Sequence, residues 1–331
     1  MSQIFLEKEN LLKSTIFDEC FKHYKENFKI GENWHTLSER FGYSSAEALR
    51  SDFRRERKKR GIKKENDVVV VPVQKANHNA KILLFDIETT PLLAFSWGLW
   101  EQNISTKAIV QDWHLLTWSA KWIFSGEIIS MGLTSEEAKR HDDRRIVSEM
   151  WKILNQADIV IGHNSDSFDI RRLNTRFLIH GLPPVKPYKS IDTYKVAKQY
   201  FSFSSSKLDY VNECLDLPQK DHTDLKLWID CFYGNADALK EMESYNRNDV
   251  EILEDLYLKV RPFIRNHPNL NLWTGENVSV CPNCSSEKLN WNGNYYTPTG
   301  RYEAFRCLDC GAIGRAKENN LTKEKRKTIV R

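Results

Sequence analysis

No apolar run in this 331-residue chain is long enough to cross a bilayer. Its first residues, Met1-Ser2-Gln3-Ile4-Phe5-Leu6-Glu7, lack the charged start and apolar core of a secretory signal. These two absences argue against a membrane or secreted protein and lead us to expect a cytoplasmic one. No internal repeat is present, so a stacked-repeat architecture is not expected. A strong overall charge is also lacking, since the formal net value is only +4. What basicity there is sits in two places, Arg50–Lys64 and the tail Lys323-Glu324-Lys325-Arg326-Lys327. Local basic patches on a near-neutral chain suit a polyanion such as nucleic acid better than general stickiness. The seven cysteines, without a signal, are expected to be reduced thiols.

The length suits two domains, or one large domain with appendages. Residues 8–27 carry Leu11, Leu12, Ile16, Phe17, Cys20, Phe21 and Tyr24 at helical spacing. A second helix fits Trp34–Phe41, Gly42 supplies a tight turn, and Ser44 or Ser45 caps a third helix running to about Arg60. Helix, glycine turn and helix form a helix-turn-helix-like module over 1–64. Its last helix carries Arg50, Arg54, Arg55, Arg57, Lys58, Lys59 and Arg60, placed to meet phosphates or simply to face water. Residues 65–79 suit a linker, with a short strand at Val68–Val71.

The main domain is expected over 80–266. Ile82-Leu83-Leu84-Phe85-Asp86-Ile87-Glu88-Thr89-Thr90-Pro91 reads as a buried strand stopped by its proline. Alternation puts Asp86 and Glu88 on one face and Phe85 and Ile87 on the other. Two like charges side by side are costly to bury unless a cation lies between them, and hard divalent ions prefer carboxylate oxygens. Further strands fit Leu115–Ile123, Glu127–Leu133, Asp158–Gly162 and Tyr188–Ile191. Helices fit 143–156, Phe168–His180 and most of 193–265. The order predicts an α/β fold, a mixed sheet covered by helices. Asp169 follows a strand end, where ligand sites gather, yet Asp there is more often a helix cap. Tyr245 and Asp249, four apart, share a helical face with Ile252 and Leu256. An acid on that buried face needs a metal or an arginine beside it.

The series Phe-Asp-Ile-Glu-Thr-Thr, Gly-His-Asn-x-x-x-Phe-Asp and Tyr-x-x-x-Asp resembles the three exonuclease motifs of the DnaQ-like 3′–5′ exonucleases, in the ribonuclease H-like superfamily. The tyrosine of the last motif resembles the DEDDy branch. The step from Asn164 to Asp169 is similar to that in B-family polymerase proofreading domains and YprB-type domains. The resemblance implies a ribonuclease H-like fold and two Mg²⁺ or Mn²⁺ ions held by Asp86, Glu88, Asp169 and Asp249. It further implies that Tyr245 orients the attacking water, that Thr89 and Thr90 line the terminal-nucleotide pocket, and that Asn164 meets the strand. His163, Asp166 and Asp192 fall outside these roles, Asp192 being read as a structural support.

Cys281-Pro282-Asn283-Cys284 and Cys307-Leu308-Asp309-Cys310 form two C-x₂-C knuckles, the spacing of a tetrahedral Zn²⁺ site. The spacer between them, with Trp291, Tyr295, Tyr296, Tyr302 and Phe305, resembles a zinc ribbon over 278–316, leaving a basic tail at 317–331. The aromatics beside Arg301, Arg306 and Arg315 can stack bases or form the ribbon's own core. Cys20, Cys214 and Cys231 read as ordinary buried cysteines. The expectation is a metal-dependent 3′–5′ exonuclease on DNA ends, with DNA favoured over RNA and with bacterial or phage-like replication or repair proteins as partners. An endonuclease or ribonuclease on the same core, and a silent nucleic-acid-binding adaptor, are the alternatives.

Overall fold

The computed structural model describes residues 15–22, 34–44, 46–60, 78–220, 223–275 and 277–330. The chain divides into two compact units, 1–70 and 71–331. In the first, residues 15–22 are helical (α1), followed by α2 (Trp34–Arg40) and α3 (Ala46–Lys59). Phe17, Cys20, Leu37, Leu49 and Phe53 form its core, and Phe17 stacks on Phe53 at 5.0 Å. On α3, Arg55 pairs with Asp52 at 3.3 Å, and just beyond it Arg60 pairs with Glu56 at 2.9 Å and Asp18 at 2.7 Å. The side chains of Arg50, Arg54, Arg57 and Lys58 lie outside the described residues, as do the rest of the 8–27 helix and the strand at Val68–Val71.

The second unit is built on β1 (Ile82–Thr89), the middle strand of a five-stranded sheet ordered β5-β4-β1-β6-β7. The others are β4 (Leu115–Trp122), β5 (Ile129–Gly132), β6 (Ile159–Gly162) and β7 (Lys189–Asp192). β1 pairs antiparallel with β4 and parallel with β6, β4 pairs antiparallel with β5, and β6 pairs parallel with β7. The sheet is therefore mixed, as expected, and β4 and β5 in its antiparallel half are joined by a hairpin turn in which Phe124 adopts φ 62°. Between β1 and β4 lie two short strands, β2 (Leu93–Ala94) and β3 (Ile109–Gln111), and a segment in which Trp97 and Leu99 are over 90 % exposed.

Period-two alternation along β1 sorts its side chains between two cores. Leu83, Phe85 and Ile87 pack with Ala138 of α4 (Ser135–Arg140), Ile146 and Met150 of α5 (Arg144–Leu154) and Leu173 and Phe177 of α6 (Asp169–Ile179). Ile82 and Leu84 face the other way, toward Val196 of α7 (Thr193–Tyr200), Val211 of α8 (Leu208–Cys214) and the second half of α10 (Ala236–Val260). Its first half, with Met242 and Tyr245, packs on the first core beside α9 (Leu225–Phe232). Truncating a side chain such as Leu84 to alanine in this setting costs roughly 2–5 kcal/mol. Cys214 corrects the reading of it as a buried cysteine: at the last position of α8 its side chain faces solvent, whereas Cys20 and Cys231 are buried.

The chain ends in a three-stranded sheet, β8 (Leu289–Thr297), β9 (Gly300–Cys307) and β10 (Ile313–Arg315), and a short helix, α11 (Lys323–Lys327). This small sheet is tied to the end of α10. Asn283 Nδ2 donates to the carbonyls of Arg261 at 2.9 Å and Ile264 at 3.3 Å, and Leu270 N donates to Pro282 O at 2.8 Å.

Candidate active site

The end of β1 and the middle of α10 bring three acids together. One carboxylate oxygen from each of Asp86, Glu88 and Asp249 lies within 4.8 Å of the others. Asp249 is 2 % exposed, and Ile252 and Leu256 on the same helical face are also buried. α10 is therefore no surface helix at this point, and its acid points inward.

Asp169 reaches the same strand by a different route. β6 ends at Gly162, leaving the Ile87 amide beyond the last β1–β6 pair, Leu84 with Ile161. Asp169 Oδ1 accepts from that amide at 3.2 Å. A carboxylate thus takes the place of a missing strand carbonyl. Phe168 holds the cap position of α6 with no side-chain cap bond, so Asp169, the first helical residue, turns toward β1 instead of capping its own helix. The turn that allows this depends on Gly162, where an added Cβ would lie 2.4 Å from Ser165 Cβ.

Burial and crowding disturb these acids in one direction. Burial, then repulsion from Asp169, Asp249 and Glu88, holds the Asp86 carboxyl far above its usual range. Burial pushes Glu88 up to about 7, opposed mainly by Lys220. Burial likewise raises Asp169 to about 7, against hydrogen bonds from backbone amides. Such a set is short of positive charge at neutral pH, the condition that a hard divalent cation relieves. Oxygen donors from carboxylates alone fit Mg²⁺ or Mn²⁺ and not a soft metal.

The structure adds neighbours that spacing did not reveal. Lys220 Nζ lies 2.5 Å from Asp249 Oδ2 and 4.4 Å from the centre of the Tyr245 ring. It also acts electrostatically on Asp86 and Glu88. Asn246 Nδ2 donates to Asp86 Oδ2 at 2.7 Å, and the Trp228 side chain acts with Lys220 to hold the Glu88 carboxyl down against its burial. Asn246 adjoins Tyr245, so the Tyr-x-x-x-Asp spacing could have drawn attention to it. Lys220 lies in a loop with no periodic signal.

The remaining candidates are placed as follows. Tyr245 is 6 % exposed and packs edge-on against Trp228. Thr89 and Thr90 are buried, and the Thr90 hydroxyl accepts from His114 N at 2.9 Å. Asn164 adopts φ 62°, and its amide donates to Asp192 Oδ1 at 2.8 Å. Asp192 also accepts from the amides of Tyr194 and Lys195, so it caps α7 and fastens the loop that leads to Asp169. His163 bridges Thr193 Oγ1 and Ser206 O, and Asp166 pairs with Lys195 at 2.7 Å. These three are loop supports.

The four cysteines 281, 284, 307 and 310 converge at the base of the small sheet. Sγ of Cys281 lies 3.6 Å from that of Cys310, and Sγ of Cys284 lies 3.6 Å from that of Cys307. A disulfide needs about 2.05 Å. The edge of a tetrahedron of thiolates at ~2.3 Å from a zinc ion is ~3.8 Å. The four thiols fit Zn²⁺ and are not disulfides.

Residues 124–261 match the family model RNase_H_2, of the RNase_H superfamily. That range includes Asp169, Tyr245 and Asp249 but not Asp86 or Glu88. Among curated proteins none matches the chain. Among solved structures, the family B DNA polymerase from the hyperthermophilic archaeon Pyrobaculum calidifontis is similar at 18 % identity and a TM-score of 0.42. That match covers 68 % of this chain and 32 % of the polymerase, so the chain spans about a third of that protein. Over residues 124–261 the central domain is thus similar to the ribonuclease H superfamily, and its mixed sheet flanked by helices is consistent with that fold.

Proposed function

We propose that the protein is a metal-dependent 3′–5′ exonuclease that hydrolyses phosphodiester bonds at DNA ends. The observation that carries this is the meeting of Asp86 and Glu88 from β1 with Asp249 from α10 inside 4.8 Å, with Asp169 bonded to the same strand. Asp86, Glu88, Asp169 and Asp249 would hold two Mg²⁺ or Mn²⁺ ions. When bound, such ions supply Lewis acidity that makes hydroxide accessible near neutral pH and offsets charge on the scissile phosphate. Tyr245, on the face of α10 that carries Asp249, orients the water with its hydroxyl. Water adds to phosphorus and the bond from phosphorus to the 3′ oxygen breaks. The proton lost by water ends on the leaving oxygen, giving a nucleoside 5′-monophosphate and a strand shorter by one. The 3′–5′ direction and the preference for DNA rest on the resemblance of the three motifs. The Cys₄ cluster would hold one structural Zn²⁺.

The test is a 5′-labelled single strand incubated with the protein in Mg²⁺ or in EDTA. A ladder shortening from the 3′ end only in Mg²⁺ is expected. Internal cuts would point to an endonuclease on the same core, and binding without cleavage to an adaptor.

Lys220 sets a second expectation. Its ammonium stands among the carboxylates as a counter-ion, so a divalent cation entering the set must displace it or overcome its repulsion. Replacing Lys220 by methionine should tighten Mn²⁺ binding about tenfold, or 1.4 kcal/mol, measured by electron paramagnetic resonance of free Mn²⁺. Unchanged affinity would show that the lysine does not compete with the metal.

A further inference from the structure

The small C-terminal sheet has two unlike faces. Cross-strand pairing puts Trp291 opposite Phe305 and Gly314 opposite Phe305, on the side that holds the buried core of Phe305, Cys281, Cys284 and Cys307. Gly314 is required there because an added Cβ would lie 2.4 Å from the Phe305 ring. The same registers put Tyr295 opposite Tyr302, Ile313 opposite Arg306 and Arg315 opposite Ala304, all on the other side. On that side the Arg315 guanidinium lies 3.7 Å over the Tyr302 ring and 5.9 Å from the Tyr295 ring. Tyr295 is 38 % exposed, Ile313 is 60 % exposed, and Arg306 and Arg315 are exposed. The ribbon aromatics thus divide: Phe305 belongs to the core, while on the other side Tyr295 is open and Tyr302 is half-buried beneath the Arg315 guanidinium.

Charge distinguishes the partner. Residues 277–331 hold ten Lys and Arg against five Asp and Glu, a surplus of five on a chain whose net charge is +4. Among the five acids, Asp309 is already engaged by Lys288 and Ser286. An open tyrosine ring beside guanidinium groups on a basic surface matches a single-stranded polynucleotide: a base stacks on the ring, and phosphates meet the arginines. An apolar or acidic protein surface would leave either the arginines or the rings unmatched.

We infer that this face, centred on Tyr295, Tyr302, Arg306 and Arg315, is a stacking site for single-stranded nucleic acid, separate from the carboxylate cluster. It would hold strand that is not in the active site. This deepens the nuclease reading and rests on it for the identity of the strand as substrate. Binding itself can be measured without cleavage.

The experiment is fluorescence anisotropy with the full-length protein in EDTA, using fluorescein-labelled oligodeoxyuridylate and oligouridylate of about 20 nucleotides. Tyr295→Ala should weaken binding about tenfold, and Tyr295→Phe should bind as the unsubstituted protein does. Arg315→Ala should weaken binding and lower the slope of log affinity against log salt by about one. Equal loss on both oligomers marks a platform blind to sugar, and loss on one alone marks a site that selects that sugar. Affinity unchanged in both alanine variants overturns the proposal and leaves the face to a protein partner. A phenylalanine variant as weak as the alanine one overturns stacking as the mode of binding. Cleavage by Asp86→Asn, assayed in parallel, reports on the carboxylates alone, so failure of either reading can be told from failure of the other.

Discussion

Asp86→Asn is expected to reduce cleavage by more than about a hundredfold while leaving the fold intact. Asparagine is isosteric, and its side-chain oxygen can still accept the Asn246 hydrogen bond. The substitution removes a charge from a cluster that burial and mutual repulsion already disfavour, so the metal-free protein should be no less stable and can be more so. What is lost is a ligand. Changing groups that merely orient metal ligands typically costs 10–100-fold in affinity or activity, and removing a ligand costs more. Single-turnover cleavage at saturating Mg²⁺, alongside thermal unfolding in EDTA, separates the two effects. Retained turnover in this variant would contradict the metal assignment.

The second large effect is expected at the cysteines. Cys284→Ser should lower bound zinc from about one per chain to near none, read by elemental analysis. A segment this small cannot form a self-sufficient core, and besides the thiols its cluster holds just Phe305, Ala312 and Leu289 among the described residues. Amide exchange over 281–315 should then become fast, while β1, buried between two clusters, and β4, packed into the first of them, keep their protection. The loss should extend to the Asn283 bonds at the end of α10, so Ile264 and Leu270 are the residues of the large domain expected to loosen. Full zinc retention, or unchanged exchange in the ribbon, would rule out the Cys₄ site.

Much of this was legible in the sequence because the relevant signals are local. β1 announces itself by an unbroken apolar run, and its alternation alone puts Asp86 beside Glu88. The C-x₂-C pairs fix the thiol cluster in the same way. Asp169 was ambiguous, since a cap and a ligand look alike at a helix start. The deciding fact is tertiary: β6 stops short, and the Ile87 amide is left for the carboxylate. Lys220 was invisible for a related reason, because a loop lysine acquires meaning only once packing brings it to Asp249. The segment between β1 and β4 carries no periodic pattern, and its two short strands and exposed Trp97 could not be anticipated. Cys214 was misjudged because burial of a helix end depends on what packs against it.

A crystal grown with Mn²⁺ and a nucleoside 5′-monophosphate tests the central claim most directly. Two anomalous peaks, ligated between them by Asp86, Glu88, Asp169 and Asp249 with the phosphate alongside, are predicted. A cluster still closed around Lys220 at saturating Mn²⁺, with no peak among the four carboxylates, would contradict it.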